Sequence, residues 1–221
     1  MPAKQLERAL GYAKSVGAKI EQVPVREIYD SEYSANNSDR CFYCKSHLYL
    51  VIKKIAEEKG YDSVLCGTNL DDMSDYRPGN RAAENHNVRS VLVEAGLTKD
   101  DIRNISRKLG LPTADLPASP CLASRITYGL KITSERLKQV EQAEEFLRTL
   151  GFVEFRVRHH DTIARIEVTP ADIAKVLAEP NRSKITEKLK AIGFKYIAVD
   201  LQGYRCGSLN EVLPEANKKS K

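Results

Sequence analysis

Val153-Glu154-Phe155-Arg156-Val157-Arg158-His159-His160-Asp161-Thr162-Ile163-Ala164-Arg165-Ile166-Glu167-Val168 reads as two amphipathic strands joined by a turn. From Val153 to Arg158 apolar and charged residues alternate strictly, the period of a strand with one buried face. The alternation resumes from Ile163 to Val168, with His160-Asp161 making the turn between the strands. Period two places Glu154, Arg156 and Arg158 on one face, and Arg165 with Glu167 together on a face of the partner strand. His159 and His160, at the turn, read as exposed. Upstream, Thr133 or Ser134 caps a helix that reaches Leu150, and Gly151 closes it. Downstream, Pro170 opens further helix at its favoured early position, and Phe194 to Leu201 supplies a last strand. Helix, hairpin, helix, strand defines a small α+β domain over 129–221.

Residues 1–128 carry another rhythm. Leu6, Ala9, Leu10, Ala13 and Val16 are spaced as one helical face, ended by Gly17. Ala18 to Val25 predicts a short strand, Leu48 to Lys59 an amphipathic helix stopped by Gly60, and Tyr61 to Gly67 a strand entering a turn. Thr98 caps a further helix to Leu109, with Asp100 and Asp101 in its first turn. A loop with Pro112, Pro117 and Pro120 follows. Helix alternating with strand is the pattern of an α/β domain with a doubly wound parallel sheet. Neither G-x-G-x-x-G nor G-x-x-x-x-G-K-[ST] occurs in the sequence.

Composition limits the class of protein. With 42% hydrophobic and 29% charged residues in 221, the chain is globular rather than disordered. No run approaches the ~18 apolar residues of a membrane span. Met1 to Glu7 lacks the apolar core of a signal peptide, so the expected location is the cytoplasm. A net charge of +5 is too mild to imply nucleic acid without a clustered patch, and the basic tail Lys218-Lys219-Ser220-Lys221 reads as a solvated terminus. Five cysteines without a secretion signal point to metal binding or catalysis rather than to a disulfide framework.

Several constellations carry chemistry. Arg40-Cys41-Phe42-Tyr43-Cys44-Lys45 places a C-x-x-C at a helix start, bringing two thiols within reach of one metal or of each other. No second pair completes a four-cysteine zinc site. Leu65-Cys66-Gly67-Thr68-Asn69-Leu70-Asp71-Asp72 follows an apolar strand, at the edge where open α/β sheets bind ligands, and Asp75-Tyr76-Arg77-Pro78-Gly79 adds an arginine beside a carboxylate. The two segments read either as turns or as one polar rim. Ser119-Pro120-Cys121-Leu122-Ala123-Ser124-Arg125 sets a cysteine in a proline-stiffened loop with a guanidinium nearby, a candidate reactive thiolate. Cys66 reads as core, and Cys206 has no assignment. The Arg156/Arg158 and Arg165/Glu167 pattern fits a solvated face of cross-strand ion pairs or a clamp for phosphate and carboxylate, which Arg205 would join.

Together these motifs resemble the LarE-type ATP-dependent sulfur transferases of the PP-loop ATP pyrophosphatase superfamily, from about Ala3 to Leu209. The likeness rests on the C-x-x-C segment, Gly67 to Asp72, Asp75 to Gly79, Ser119 to Arg125, and the Arg156-Val157-Arg158-His159 and Ala164 to Glu167 pair. It implies an adenine nucleotide alpha hydrolase-like α/β domain and a reaction in two steps. ATP with Mg adenylates a carboxylate of a pyridinium biscarboxylate mononucleotide, and a sulfur nucleophile displaces AMP to leave a thiocarboxylate for the nickel-pincer nucleotide of lactate racemase. The resemblance implies Cys121 as the sulfur position, either giving up its own sulfur or joining Cys41 and Cys44 around a [4Fe-4S] cluster. It implies Gly67, Thr68, Asn69, Asp71, Asp75 and Arg77 for the nucleotide, and Arg125, Arg156, Arg158, Glu167 and Arg205 for the substrate. Family members open with a strand and an S-G-G-x-D-S phosphate loop, and this sequence contains no such motif. The expectation is a homo-oligomer, or a partner that supplies the loop. Two other readings stay open: a tRNA-thiolating PP-loop enzyme, which calls for a basic surface or zinc module, and a non-catalytic, partner-dependent subunit of a split ATP pyrophosphatase.

Overall fold

The structure is a computed structural model and describes residues 2–74, 77–116, 120–205 and 207–214. Its helices are α1 (Ala3–Ser15), α2 (Ser31–Ser34), α3 (Arg40–Lys59), α4 (Pro78–Asn85), α5 (Val91–Glu94), α6 (Lys99–Lys108), α7 (Ser134–Thr149), α8 (Ile173–Leu177) and α9 (Asn181–Ile192). Its strands are β1 (Phe155–His160), β2 (Ile163–Val168) and β3 (Tyr196–Val199). The architecture is mixed α/β. The chain packs into two compact units, one of Met1–Pro24 with Pro120–Val212 and the other of Val25–Ser119 with Leu213–Lys221. The N-terminal helix, expected within a 1–128 domain, groups with the later segment. Its Lys4 ammonium lies 2.6 Å from Glu145, and the Ala3 amide donates to Glu141 at 2.6 Å.

The unit containing the hairpin is built on a three-stranded sheet in the order β1-β2-β3. β1 and β2 are antiparallel, with Arg156 opposite Glu167 and Arg158 opposite Arg165; β3 runs parallel to β2. Strand alternation sends Phe155, Val157 and His159 to one face, with Ala164, Ile166 and Val168 beside them. That face meets Ala143 and Leu147 of α7, Val176 of α8 and Ile185 and Leu189 of α9 in one buried cluster. Each such Val, Leu, Ile or Phe contributes about 1.5–3 kcal/mol on full burial, so this packing holds the helices to the sheet. The opposite face is left to the arginines and Glu167. At the start of α7, Thr133 caps the helix by accepting the Arg136 amide at 3.2 Å. After it, Gly151 takes the positive φ that ends the segment.

β1 continues two residues past Arg158, so the histidines are not exposed. His159 is 1% exposed because it extends the Phe155–Val157 face into the core. Its ring packs on Phe194 with centroids 5.0 Å apart, and its Nε2 pairs with Gln139 Oε1 at 2.8 Å. The turn falls on Asp161 and Thr162, where Asp161 adopts φ 57°.

In the other unit α3 packs on α4, and Tyr49, Ala82, Ala83 and Val88 form a small core bordered by Phe42, Val64 and Cys66. α3 stops at Gly60 with φ 70°, and α6 opens on a reciprocal capping box between Thr98 and Asp101. The doubly wound sheet is not seen among the described residues. A strand needs a hydrogen-bonded neighbour, and residues 18–25 have no ladder; Ile20 is 54% exposed. Tyr61 to Gly67 pairs only at Leu65, in an isolated parallel bridge to Arg89.

His159 makes the hairpin unit acid-sensitive. Burial pushes its pKa down to about 4, and the charge of Arg136 acts in the same direction. Between the unfolded value near 6.5 and about 4, the unfolded chain binds more protons than the native one, so stability present above pH 6.5 is lost as pH falls through this window. The loss is on the order of 2–3 kcal/mol. In chemical denaturation between pH 7 and 4.5, His159→Leu is expected to flatten this slope; an unchanged slope would remove His159 as its source.

Candidate active site

Cys121 is exposed and free of a disulfide, and it stands immediately before the 3₁₀ turn Leu122–Arg125. The turn folds Arg125 back beneath the cysteine. Arg125 Nη1 donates to the Pro120 carbonyl at 2.8 Å, the Cys121 carbonyl at 3.2 Å and Ser124 Oγ at 3.0 Å. Ser124 Oγ in turn donates to the Cys121 carbonyl at 2.7 Å. The other side of the guanidinium, Nε and Nη2, grips Glu144 at 2.9 and 3.2 Å, with both side chains 2% exposed. Glu144 also accepts the Val157 amide at 3.3 Å and Arg148 at 3.4 Å. Arg125, expected to meet substrate, is thus buried and turned toward the loop itself.

Adjoining this loop is the polar face of the sheet. Arg158 donates Nη1 to the Ser124 carbonyl at 2.9 Å, Nε to Glu167 at 2.9 Å and Nη2 to Ser208 Oγ at 2.7 Å. Glu167 is fully buried; it also accepts Arg165 at 2.8 Å and lies 3.1 Å from the Ser208 hydroxyl. The pairing of Arg158 with Glu167 is diagonal across the β1–β2 ladder. Arg158 and Glu167 are therefore joined to one another and to the Cys121 loop. Arg205 grips Glu211 with two bonds of 3.0 Å and lies 3.8 Å from Asp200, which is itself 3.6 Å from Arg165.

Arg156 has a different setting. Half-buried, it donates to the Phe155 carbonyl at 2.6 Å and to the Tyr204 hydroxyl at 3.4 Å, with its guanidinium 4.9 Å from the Tyr204 ring centroid. Burial, followed by the charges of Arg125 and Arg158, holds its pKa below the ordinary guanidinium value. Tyr204 and the Glu144 carboxylate act in the opposite direction. Tyr204 reaches it because Gly203 permits the turn: φ is 72°, and a Cβ there would sit 2.7 Å from the Val168 carbonyl. The same turn lets the Tyr204 amide donate to that carbonyl at 2.7 Å.

In the other unit Cys41 and Cys44 lie one helical turn apart at the start of α3, both half-buried. Arg40 is buried beside them and donates to Asn36. Among the described residues no three His, Cys, Asp or Glu side chains converge as a metal-ion site. Thr68 and Asn69 are buried; Asn69 caps a 3₁₀ turn by accepting the Asp72 amide at 3.3 Å, and Asp71 accepts the Lys99 amide at 2.7 Å. Arg77 meets Asp72 at 2.8 Å and Asn80 donates to the Asp72 carbonyl at 3.3 Å, which joins the two segments into one rim. Gly67 has open space above its Cα. Asp75 and Cys206 lie outside the described residues. Cys66 borders the small core but turns its thiol to Ser90 Oγ at 3.2 Å and Thr68 Oγ1 at 3.4 Å. Burial opposes its ionisation, yet these bonds and the Lys45 charge bring its pKa below the usual thiol value.

Glu144, Tyr204 and Ser208 are the residues the sequence reading missed. Glu144 had a signal. It falls on the buried stripe of α7, between Val140, Ala143 and Leu147, where a carboxylate requires a partner.

An exposed thiol on a loop fixed by a buried ion pair thus adjoins the arginine-rich face of the sheet. Comparison with known proteins gives the family. The chain is 35% identical over 96% of its length to the pyridinium-3,5-bisthiocarboxylic acid mononucleotide synthase of Lactiplantibacillus plantarum, covering 76% of that protein. It is 41% identical to an uncharacterised protein of Synechocystis sp. over 95% of its length and 78% of the relative. A further uncharacterised protein, from Methanocaldococcus jannaschii, is 33% identical over 86% of the chain and 73% of its own length. No protein-family model matches. The chain belongs to the LarE-type family, that of the Lactiplantibacillus plantarum synthase.

Removing the charge of Glu167 would leave Arg158 and Arg165 facing each other across the ladder without their shared carboxylate. Breaking a buried ion pair on one side typically costs about 3–5 kcal/mol. Glu167→Gln is expected to lower unfolding free energy by that order in urea titration, whereas a change below about 1 kcal/mol would mean the network behaves as a surface pair.

Proposed function

We propose that the chain is an ATP-dependent sulfur transferase acting on a pyridinium biscarboxylate mononucleotide, on the route to the nickel-pincer nucleotide. The observation that carries this reading is Cys121: an exposed thiol whose main chain is fixed by Arg125 and whose loop abuts the arginine face of the sheet. The name of the Lactiplantibacillus plantarum relative supports the substrate class.

In this reading Arg156, with Tyr204, receives an anionic group of the substrate, and Arg158, Glu167 and Arg205 frame the face around it. The rim of Gly67, Thr68, Asn69, Asp71, Asp75 and Arg77 serves ATP with Mg in the adenylating step. The Cys121 thiolate attacks the acyl adenylate; a C–S bond forms as the acyl C–O bond to AMP breaks, and AMP leaves with the electron pair. Loss of the Cys121 Cα proton then cleaves Cβ–Sγ. The thiocarboxylate departs with the sulfur, and dehydroalanine remains at position 121. The thiols of Cys41, Cys44 and Cys121 are of the type that holds a [4Fe-4S] cluster, and Cys41 and Cys44 share one helical turn as two such ligands would. A cluster bound by them would supply the sulfur as sulfide, leaving Cys121 intact.

Intact-protein and peptide mass spectrometry after one turnover with ATP, Mg and the pyridinium substrate tests the reading. The expected result is either loss of the mass of hydrogen sulfide from the Cys121 peptide, or an unchanged peptide in a brown protein whose colour requires Cys41, Cys44 and Cys121. Thiocarboxylate formation by Cys121→Ser at the wild-type rate would overturn it.

A further inference from the structure

The buried carboxylate of Glu144 has no role in binding or chemistry as described above, yet it is the fixed point of the Cys121 loop. Its oxygens hold Arg125 from α7 while also accepting the Val157 amide of β1. Arg125 spends its remaining nitrogen on two main-chain carbonyls and a hydroxyl of residues 120–124. A guanidinium so placed ties the cysteine's backbone to the helix and to the strand that carries Arg156 and Arg158, and leaves the thiol outside the network. Within the loop the Ser124 amide and hydroxyl both donate to the Cys121 carbonyl, at 3.0 and 2.7 Å, and the Ile126 amide donates to the Ala123 carbonyl at 3.1 Å.

We infer that Glu144 and Arg125 are positioning residues, a buried clamp that sets where the Cys121 thiol stands relative to the arginine face. The inference rests on the reading of Cys121 as the sulfur position. It assigns Arg125 to the loop rather than to the substrate, and it gives Glu144 a purpose beyond offsetting a charge. Misplacing a reacting group by about 1 Å can cost about 100-fold in rate, so a clamp of this kind acts on turnover more than on binding.

The test combines hydrogen exchange with single-turnover kinetics of the full chain. Glu144→Gln and Arg125→Lys are expected to raise amide exchange in the peptide spanning 120–126 at least tenfold, with the 137–147 segment of α7 unchanged. They are expected to lower the limiting single-turnover rate constant about 100-fold while the substrate concentration giving half that rate shifts less than about threefold. Because both act through one device, the double variant should be no slower than the slower single one. Ser124→Ala, a milder change should the others fold poorly, is expected to loosen the same peptide and slow turnover about five- to tenfold. Asp161→Asn, which breaks the exposed Arg136–Asp161 pair, is expected to leave both readouts unchanged. Unchanged exchange and single-turnover rate in Glu144→Gln and Arg125→Lys, with Cys121→Ser inactive, would overturn the clamp. Full activity in Cys121→Ser would instead overturn the role of Cys121 beneath it, while exchange still reports whether the clamp exists.

Discussion

Two buried guanidinium–carboxylate pairs, Arg125 with Glu144 and Arg158 with Glu167, are the constraint on which the hairpin unit depends. Burying four charges is costly, and the cost is offset only when every nitrogen and oxygen finds a partner. Here the partners are the site itself. Arg125 reaches the carbonyls of Pro120 and Cys121, Arg158 reaches the carbonyl of Ser124 and the hydroxyl of Ser208, and both carboxylates take additional donors. Satisfying the charges and shaping the loop are therefore one event. Neither pair can be removed singly without stranding its partner in a dry environment.

This arrangement separates two kinds of arginine that look alike in sequence. Arg125 and Arg158 are committed to carboxylates and main chain. Arg156, one pleat from Arg158 on the same face, lies against the Tyr204 ring, with burial and the like charges of its neighbours working against its own ionisation. Arg125 and Arg158 thus shape the loop, while Arg156 stands against an aromatic ring. The proposed chemistry uses both, since an anionic mononucleotide needs a receiver and a thiol needs a fixed location.

Much of this unit was legible in the residues. The alternation of 155–158 and 163–168 located both strands and put the arginines on one face, because the strand period is set by covalent geometry. Thr133 and Gly151 bracketed α7 for equally local reasons. What escaped was long-range. The burial of His159 depends on Gln139 of α7 and on Phe194 beyond α9, contacts that no local pattern announces. Tyr204 and Ser208 meet their arginines only after β3 and the Gly203 turn have folded back. The strand assignments at 18–25 and 61–67 failed for a related reason: an apolar run forms a strand only where another backbone offers its hydrogen bonds. Of the Asp75–Gly79 segment, Arg77 meets Asp72 at 2.8 Å.

The central claim is that the arginine face beside Cys121 receives an anionic pyridinium mononucleotide through Arg156. Isothermal titration calorimetry of the biscarboxylate mononucleotide into the wild-type chain and into Arg156→Gln tests it without turnover. The account predicts saturable binding to the wild type and affinity at least tenfold weaker in the variant, roughly the 1.5–3 kcal/mol of a hydrogen bond to a charged group, with the circular dichroism spectrum unchanged. Equal affinity in the two proteins would contradict it.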